Sequence, residues 1–108
     1  MMEGSSFHLQ PRFCTIYHPV RVELGLTINE YVIIDGINQL SHRPDHPWCT
    51  ASKDAMSEFT GISRRTVFRA IEKGLDEGLI EKNERGDLRT TMKWITTVSL
   101  YRQKTTKN

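Results

Sequence analysis

The sequence predicts an α+β fold: three helices with a small antiparallel sheet. Three observations carry this expectation. A helical stripe of apolar residues opens at Thr27, two further helical segments flank Gly61, and apolar residues alternate after Gly78. With 108 residues, 37% hydrophobic and 26% charged side chains, the composition suits one small globular core and excludes a disordered chain. The longest apolar run, Tyr31-Val32-Ile33-Ile34, is far short of the roughly 20 residues a membrane helix needs. The N-terminus has no basic start followed by an apolar stretch, so no secretory signal is read there. The expected setting is cytoplasmic, with no membrane partner.

Residues 1–23 are expected to form an extended arm or short strand. Phe13, Thr15 and Tyr17 alternate with Cys14 and Ile16, and Pro11 and Pro19 bracket the run. The first helix opens at Thr27-Ile28-Asn29-Glu30, which has capping-box spacing, and carries Ile28, Tyr31, Val32, Ile34, Ile37 and Leu40 on one face. A loop rich in proline, from His42 to Thr50, follows. Ser52 can cap a short helix bearing Ala55, Met56 and Phe59, and Gly61 can end it. Ser63 can cap a longer helix with Val67, Ala70, Ile71, Gly74 and Leu75 inward, ending at Gly78. Leu79 to Asn83 reads as a strand and Arg85-Gly86-Asp87 as a turn. From Leu88 to Tyr101 the alternation of Thr90, Met92, Trp94, Thr96, Val98 and Leu100 predicts a second strand. Residues 102–108 are expected to fray as a basic tail.

The formal net charge of +2 conceals a segregated pattern. Residues 59–73 carry +3 and residues 85–108 carry +5, whereas residues 22–58 carry −4 and residues 74–84 carry −3. A fold that joins the two basic segments creates a face that attracts polyanions. The segment from Ser52 to Ile80 has the requirements of a helix-turn-helix: Gly61 for the reversal, small Ser57 at the crossing, and Met56, Ile62, Val67 and Ala70 as contacts. That leaves Ser63, Arg64, Arg65, Thr66, Phe68 and Arg69 outward at the start of the later helix. Arginine can pair bidentately with a guanine edge, and hydroxyls and a helix N-terminus suit phosphate.

The run Thr60-Gly-Ile-Ser-Arg-Arg-Thr-Val-Phe-Arg-Ala-Ile, followed by Leu75-Asp-Glu-Gly-Leu-Ile, resembles winged helix-turn-helix DNA-binding domains of bacteria and their phages. The match covers residues 24–101 as an architecture and residues 52–81 closely. Phe7-His-Leu-Gln-Pro and the Thr27-to-Leu40 helix resemble replication initiators of phages and plasmids, and bacterial transcriptional regulators share the central motif. Gly74 departs from the pattern, where members often carry a larger helix former. The resemblance implies double-stranded DNA as partner. Arg64, Arg65 and Arg69 would enter the major groove, Ser63 and Thr66 would lie near phosphates, and Phe68 would touch a thymine methyl or pack on a neighbouring helix. A wing over residues 83–93 would offer Arg85, Arg89 and Lys93 to the backbone or minor groove.

Three other functions compete. His42, His46 and Cys49, completed by Cys14 or His18, have ligand types that suit zinc, but the sequence fixes no fourth ligand, and neither metal nor cofactor is expected. The chain has no Gly-x-Ser-x-Gly elbow, phosphate-binding glycine loop or His-Glu-x-x-His pair, so neither an enzyme nor a small-molecule substrate is expected. A winged-helix adaptor that binds protein and not DNA is the alternative, against which stand the retained Arg64, Arg65 and Arg69. The apolar stretch Phe7 to Tyr17 is the candidate contact of a homodimer on a two-fold DNA site.

Overall fold

Each of the three expected helices starts where a hydroxyl side chain replaces a missing backbone partner. Thr27 Oγ1 accepts from Glu30 N at 3.1 Å while Glu30 Oε1 accepts from Thr27 N at 2.8 Å, closing the capping box. Ser52 Oγ accepts from Ala55 N and Ser63 Oγ from Thr66 N. The computed structural model describes residues 14–106, and these caps open three of the five helices among them. In chain order the elements are α1 (His18–Leu24), α2 (Ile28–Gln39), α3 (Lys53–Thr60), α4 (Arg64–Asp76), β1 (Ile80–Lys82), β2 (Leu88–Thr90) and α5 (Met92–Thr106).

Two segments differ from the sequence expectation. Residues 18–24 form α1 rather than an extended arm. Pro19 occupies the first turn, where its missing N–H leaves no bond unmade, so the residue read as a breaker is a helix starter. The N-terminal part of the expected arm and dimer contact, Phe7 to Phe13, lies outside the described residues. The long second strand is also replaced: β2 ends at Thr90 and α5 runs on through Thr106, past the point where a frayed tail was expected. Trp94 and Val98 are buried, with Ile95 and Tyr101 half-buried against the core. That spacing of one, four and seven residues is a helical stripe. Met92 and Leu100, counted in the alternation, are exposed.

The core lies between α2, α4 and the sheet. Tyr31, Ile33, Ile34 and Ile37 of α2 and Val67 and Ala70 of α4 are fully buried. Val20 of α1 and Trp94 of α5 close the other side, with the Trp94 ring 5.0 Å from that of Tyr31 at a tilt of 56°. Tyr101 Oη donates to Glu23 Oε1 at 2.8 Å, tying α5 to α1.

The end of α4 sets where the sheet begins. Leu79 N donates to Gly74 O at 2.8 Å and Gly78 N to Leu75 O at 3.2 Å, with Gly78 at φ 72°, which is the Schellman arrangement. The turn directs Ile80 back onto α4, where residue 74 must be small. A Cβ at Gly74 would stand 2.8 Å from Ile80 Cγ1. The strands pair antiparallel, Ile80 opposite Thr90 and Lys82 opposite Leu88. Cys49, in the loop before α3, adds a backbone bridge to Leu88: Cys49 N donates to Leu88 O at 2.7 Å and Leu88 N to Cys49 O at 3.1 Å.

A polar latch fixes the far edge. His42 is held at φ 61°, an uncommon conformation for a residue with a side chain. Its Nε2 lies 2.9 Å from Thr90 O and 3.0 Å from Thr90 Oγ1, while the buried Thr90 hydroxyl donates to Asn38 Oδ1. The Thr90 proton is thus committed to Asn38, so His42 Nε2 is the donor in this latch.

Gly74→Ala should lower stability by about 1–3 kcal/mol, because crowding against buried Ile80 outweighs the helix propensity gained. Gly36→Ala, whose Cβ would meet only the terminal methyl of Met56 at 3.4 Å, ordinary contact distance, should leave stability unchanged or raise it. Paired urea melts check this. Equal effects at the two glycines would contradict the packing.

Candidate functional site

The turn between α3 and α4 is stapled by its own side chains. Gly61, at φ 76°, makes the reversal, and Ser57 Oγ donates to Ile62 O at 2.6 Å. Thr60 Oγ1 donates to Met56 O and accepts from Ile62 N. With this turn fixed, Val67, Ala70, Ile71 and Gly74 face inward and the opposite side of α4 is left to solvent.

That outer side holds the six expected contact residues at the start of the helix. Ser63 serves mainly as the cap, its hydroxyl also donating to Thr66 Oγ1 at 3.0 Å. Arg64 donates from Nε to Asp54 Oδ1 at 2.5 Å and lies over the Phe68 ring, 5.0 Å from its centroid. Arg65 and Arg69 are exposed and hold no ion pair among the described residues. Phe68 does not enter the core. It is 38% exposed, and Lys53 at the start of α3 places its ammonium 4.9 Å from the ring centroid. Lys53 was not among the expected residues. Only its position next to the cap Ser52, in a helix crossing α4, brings it to this face, and sequence spacing carries no signal for that.

The three cations expected on the hairpin have separate environments. Asn83 shapes the turn: its Oδ1 accepts from Arg85 N and Asp87 N, each at 2.9 Å, and Gly86 takes φ 91°. Arg85 stands exposed on this turn beside Glu84. Arg89 is engaged on the sheet, donating to Glu81 at 2.8 Å and stacked 4.1 Å from the Trp48 ring. Lys93 belongs to α5, not to a hairpin strand, and its Nζ donates to Glu77 O at 2.8 Å. Lys82, at the end of β1, is a further exposed cation beside the turn.

The histidine and cysteine loop is dispersed. Cys49 is buried in the bridge to Leu88, His42 is engaged at Thr90, and His46 is exposed near Asp45. Among the described residues no three histidine, cysteine or acidic side chains are grouped as a metal site, and no helix is long and apolar enough to cross a membrane. Among the described residues one carboxyl is clearly perturbed, Asp35, in a cleft of about 360 Å³ that it lines with Asn38, His42, Trp94 and Ser99. Burial pushes Asp35 above its ordinary value, opposed by hydrogen bonds from Gln39 and Cys14 and by the charge of Arg102. No protein-family model, curated protein or solved structure matches the chain significantly.

Two outcomes follow from these environments. Changing Arg64, Arg65 and Arg69 together to alanine should keep the fold, with a melting temperature within a few degrees of the parent, because exposed pairs such as Arg64–Asp54 contribute about 0–1 kcal/mol. Asp35→Asn should stabilise the protein at neutral pH. A carboxyl whose folded pKa is raised binds its proton more tightly when folded, so stability is lost as pH rises through that pKa, and the amide escapes the loss. The advantage should vanish in melts at acidic pH, below the ordinary carboxylate range. An advantage independent of pH would contradict the assignment.

Proposed function

We propose that the chain is a winged helix-turn-helix domain that binds double-stranded DNA, with α4 as recognition helix and the β1–β2 turn as wing. The order α2, α3, α4, β1, β2 supports this reading: three helices precede a two-stranded antiparallel hairpin, beside which Cys49 makes a single backbone bridge to Leu88. The observation that carries it is the outward face of α4. Arg65 and Arg69 extend into solvent beside the helix N-terminus, with Arg64 and Phe68 on the same surface. A helix entering the major groove by its N-terminal residues uses this set: guanidinium groups for guanine edges and hydroxyls and amides for phosphates.

The residues divide by what their present partners allow. Arg65 and Arg69 are the candidates for base edges. Arg64, paired with Asp54, and Lys53 suit the phosphates flanking the groove, while Arg85 and Lys82 suit the backbone beside the wing. Arg89 and Lys93 act first on the fold, through Glu81, Trp48 and the end of α4. In the phage, plasmid and bacterial proteins that the sequence resembles, DNA binding of this kind serves replication initiation or transcriptional regulation.

Fluorescence anisotropy against duplexes selected from a randomised pool, and against scrambled duplexes, tests the reading at several salt concentrations. Arg69→Ala should cost about 1–3 kcal/mol on the selected duplex and reduce discrimination. Arg85→Ala should weaken both duplexes alike and flatten the salt slope by about one unit. With Lys53, Arg64, Lys82 and Arg85 on phosphates, the parent slope of log K against log salt should be roughly −3.5. A folded triple variant of Arg64, Arg65 and Arg69 that binds as tightly as the parent would overturn the reading in favour of a protein-binding adaptor.

A further inference from the structure

The cleft of about 360 Å³ takes no part in the outer face of α4. Asp35 and Asn38 line it from α2, while Ile95, Ser99 and Arg102 line it from one face of α5. Two of its groups lack the partner their chemistry asks for. Trp94, also on the α5 wall, is 1% exposed and packs its ring on Tyr31, yet its indole N–H has no hydrogen-bond partner among the described residues. A donor on so buried a residue needs an acceptor, and the cleft is the space left for one. Asp35 is the second such group. Its carboxyl accepts from Gln39 Nε2 at 2.7 Å but is held in no ion pair among the described residues. Burial raises its pKa, so a cation placed beside it would be stabilising. Arg102 lies near enough for its charge to act on the same carboxyl.

We propose that this cleft binds a small zwitterion of the α-amino acid class with an apolar side chain. The arrangement gives each part of such a ligand its own partner. Asp35 takes the ammonium. The carboxylate falls to the donors of the other wall, the Trp94 indole N–H and the Ser99 hydroxyl, in the field of Arg102. Asn38 adds its amide N–H groups, since its oxygen already accepts from the Thr90 hydroxyl. Ile95 and Val98 form the apolar wall for the side chain. A simple amine would leave the Trp94 donor unmet, and a simple carboxylate would face the buried Asp35. A ligand with both charges side by side satisfies both ends. The site is independent of the DNA-binding reading.

The test follows the Trp94 indole N–H signal of the isotope-labelled full chain, identified with the Trp48→Phe variant, which leaves Trp94 as the one indole. L-leucine, L-valine and L-phenylalanine are titrated in turn at neutral pH. At least one should move the signal saturably. Its N-acetyl derivative, which lacks the ammonium, and its amide, which lacks the carboxylate, should each bind at least about ten-fold more weakly, the worth of one hydrogen bond to a charged group. Asp35→Asn, for which a stable fold is expected, should weaken the amino acid by a similar factor and lose the preference over the N-acetyl derivative. Its melt is recorded alongside, and if the variant is unfolded the two derivatives decide alone. A Trp94 signal unmoved by all three amino acids, derivatives that bind as well as the parent compound, or undiminished binding by folded Asp35→Asn would overturn the proposal.

Discussion

Residue 74 has no side chain, and Ile80 fills the space where one would stand. Because a Cβ there would lie 2.8 Å from Ile80 Cγ1, glycine sets how closely β1 can approach α4. The same glycine carbonyl accepts from Leu79 N in the Schellman turn, so one residue both ends the helix and seats the strand that follows. From that contact the rest is positioned in sequence. β1 registers β2, β2 is bridged to Cys49, and Cys49 leads into the cap that starts α3. Glycine costs about 1 kcal/mol of helix propensity relative to alanine, and the close packing of α4 on Ile80 and Ile34 offsets it. A glycine at position 74, inside a helix, thus has a local physical cause in this chain.

The outer surface is organised by a different constraint: each cation is either engaged or left to water. Arg89 and Lys93 bind Glu81 and the Glu77 carbonyl, which stabilises the junction of sheet and α5. Arg64 is partly engaged by Asp54, a pair exposed enough to exchange for a stronger anion at small cost. Arg65, Arg69 and Arg85 are exposed and make no ion pair among the described residues. The charges of the two basic segments therefore do not act as one sum. A protein of net charge +2 can still present a cationic face, because its acidic residues lie mainly on other stretches of the chain.

Most helix boundaries were legible because their signals are local. Thr27 with Glu30, Ser52, Ser63 and Gly61 act within four residues, and each does in the structure what its type and spacing imply. The inward face of α4 was legible for the same reason. The errors arose where two periodicities coexist. From Met92 to Leu100 every second residue is apolar or β-branched, yet Trp94, Ile95, Val98 and Tyr101 also form a helical stripe. Tertiary contact with Tyr31 and α1 decides for the helix. Pro19 was ambiguous in the same way, since a proline marks a break inside a helix and a start at its first turn. The structure leaves Arg64, Arg65, Phe68 and Arg69 of α4 exposed, as the helical spacing implies, but the company of each residue was not readable. Asp54 opposite Arg64, Lys53 over Phe68 and Trp48 under Arg89 are separated from their partners by ten or more residues.

We propose that duplex DNA docks on the start of α4 and on the β1–β2 turn. A titration of the isotope-labelled chain with a selected duplex, followed by amide chemical shifts, tests it residue by residue. The largest shifts should fall on residues 63–69 and 83–87, with Lys53 included and the exposed side of α1 and α5 unchanged. Shifts concentrated on α1 and α5, or none on residues 63–69 at saturation, would contradict it.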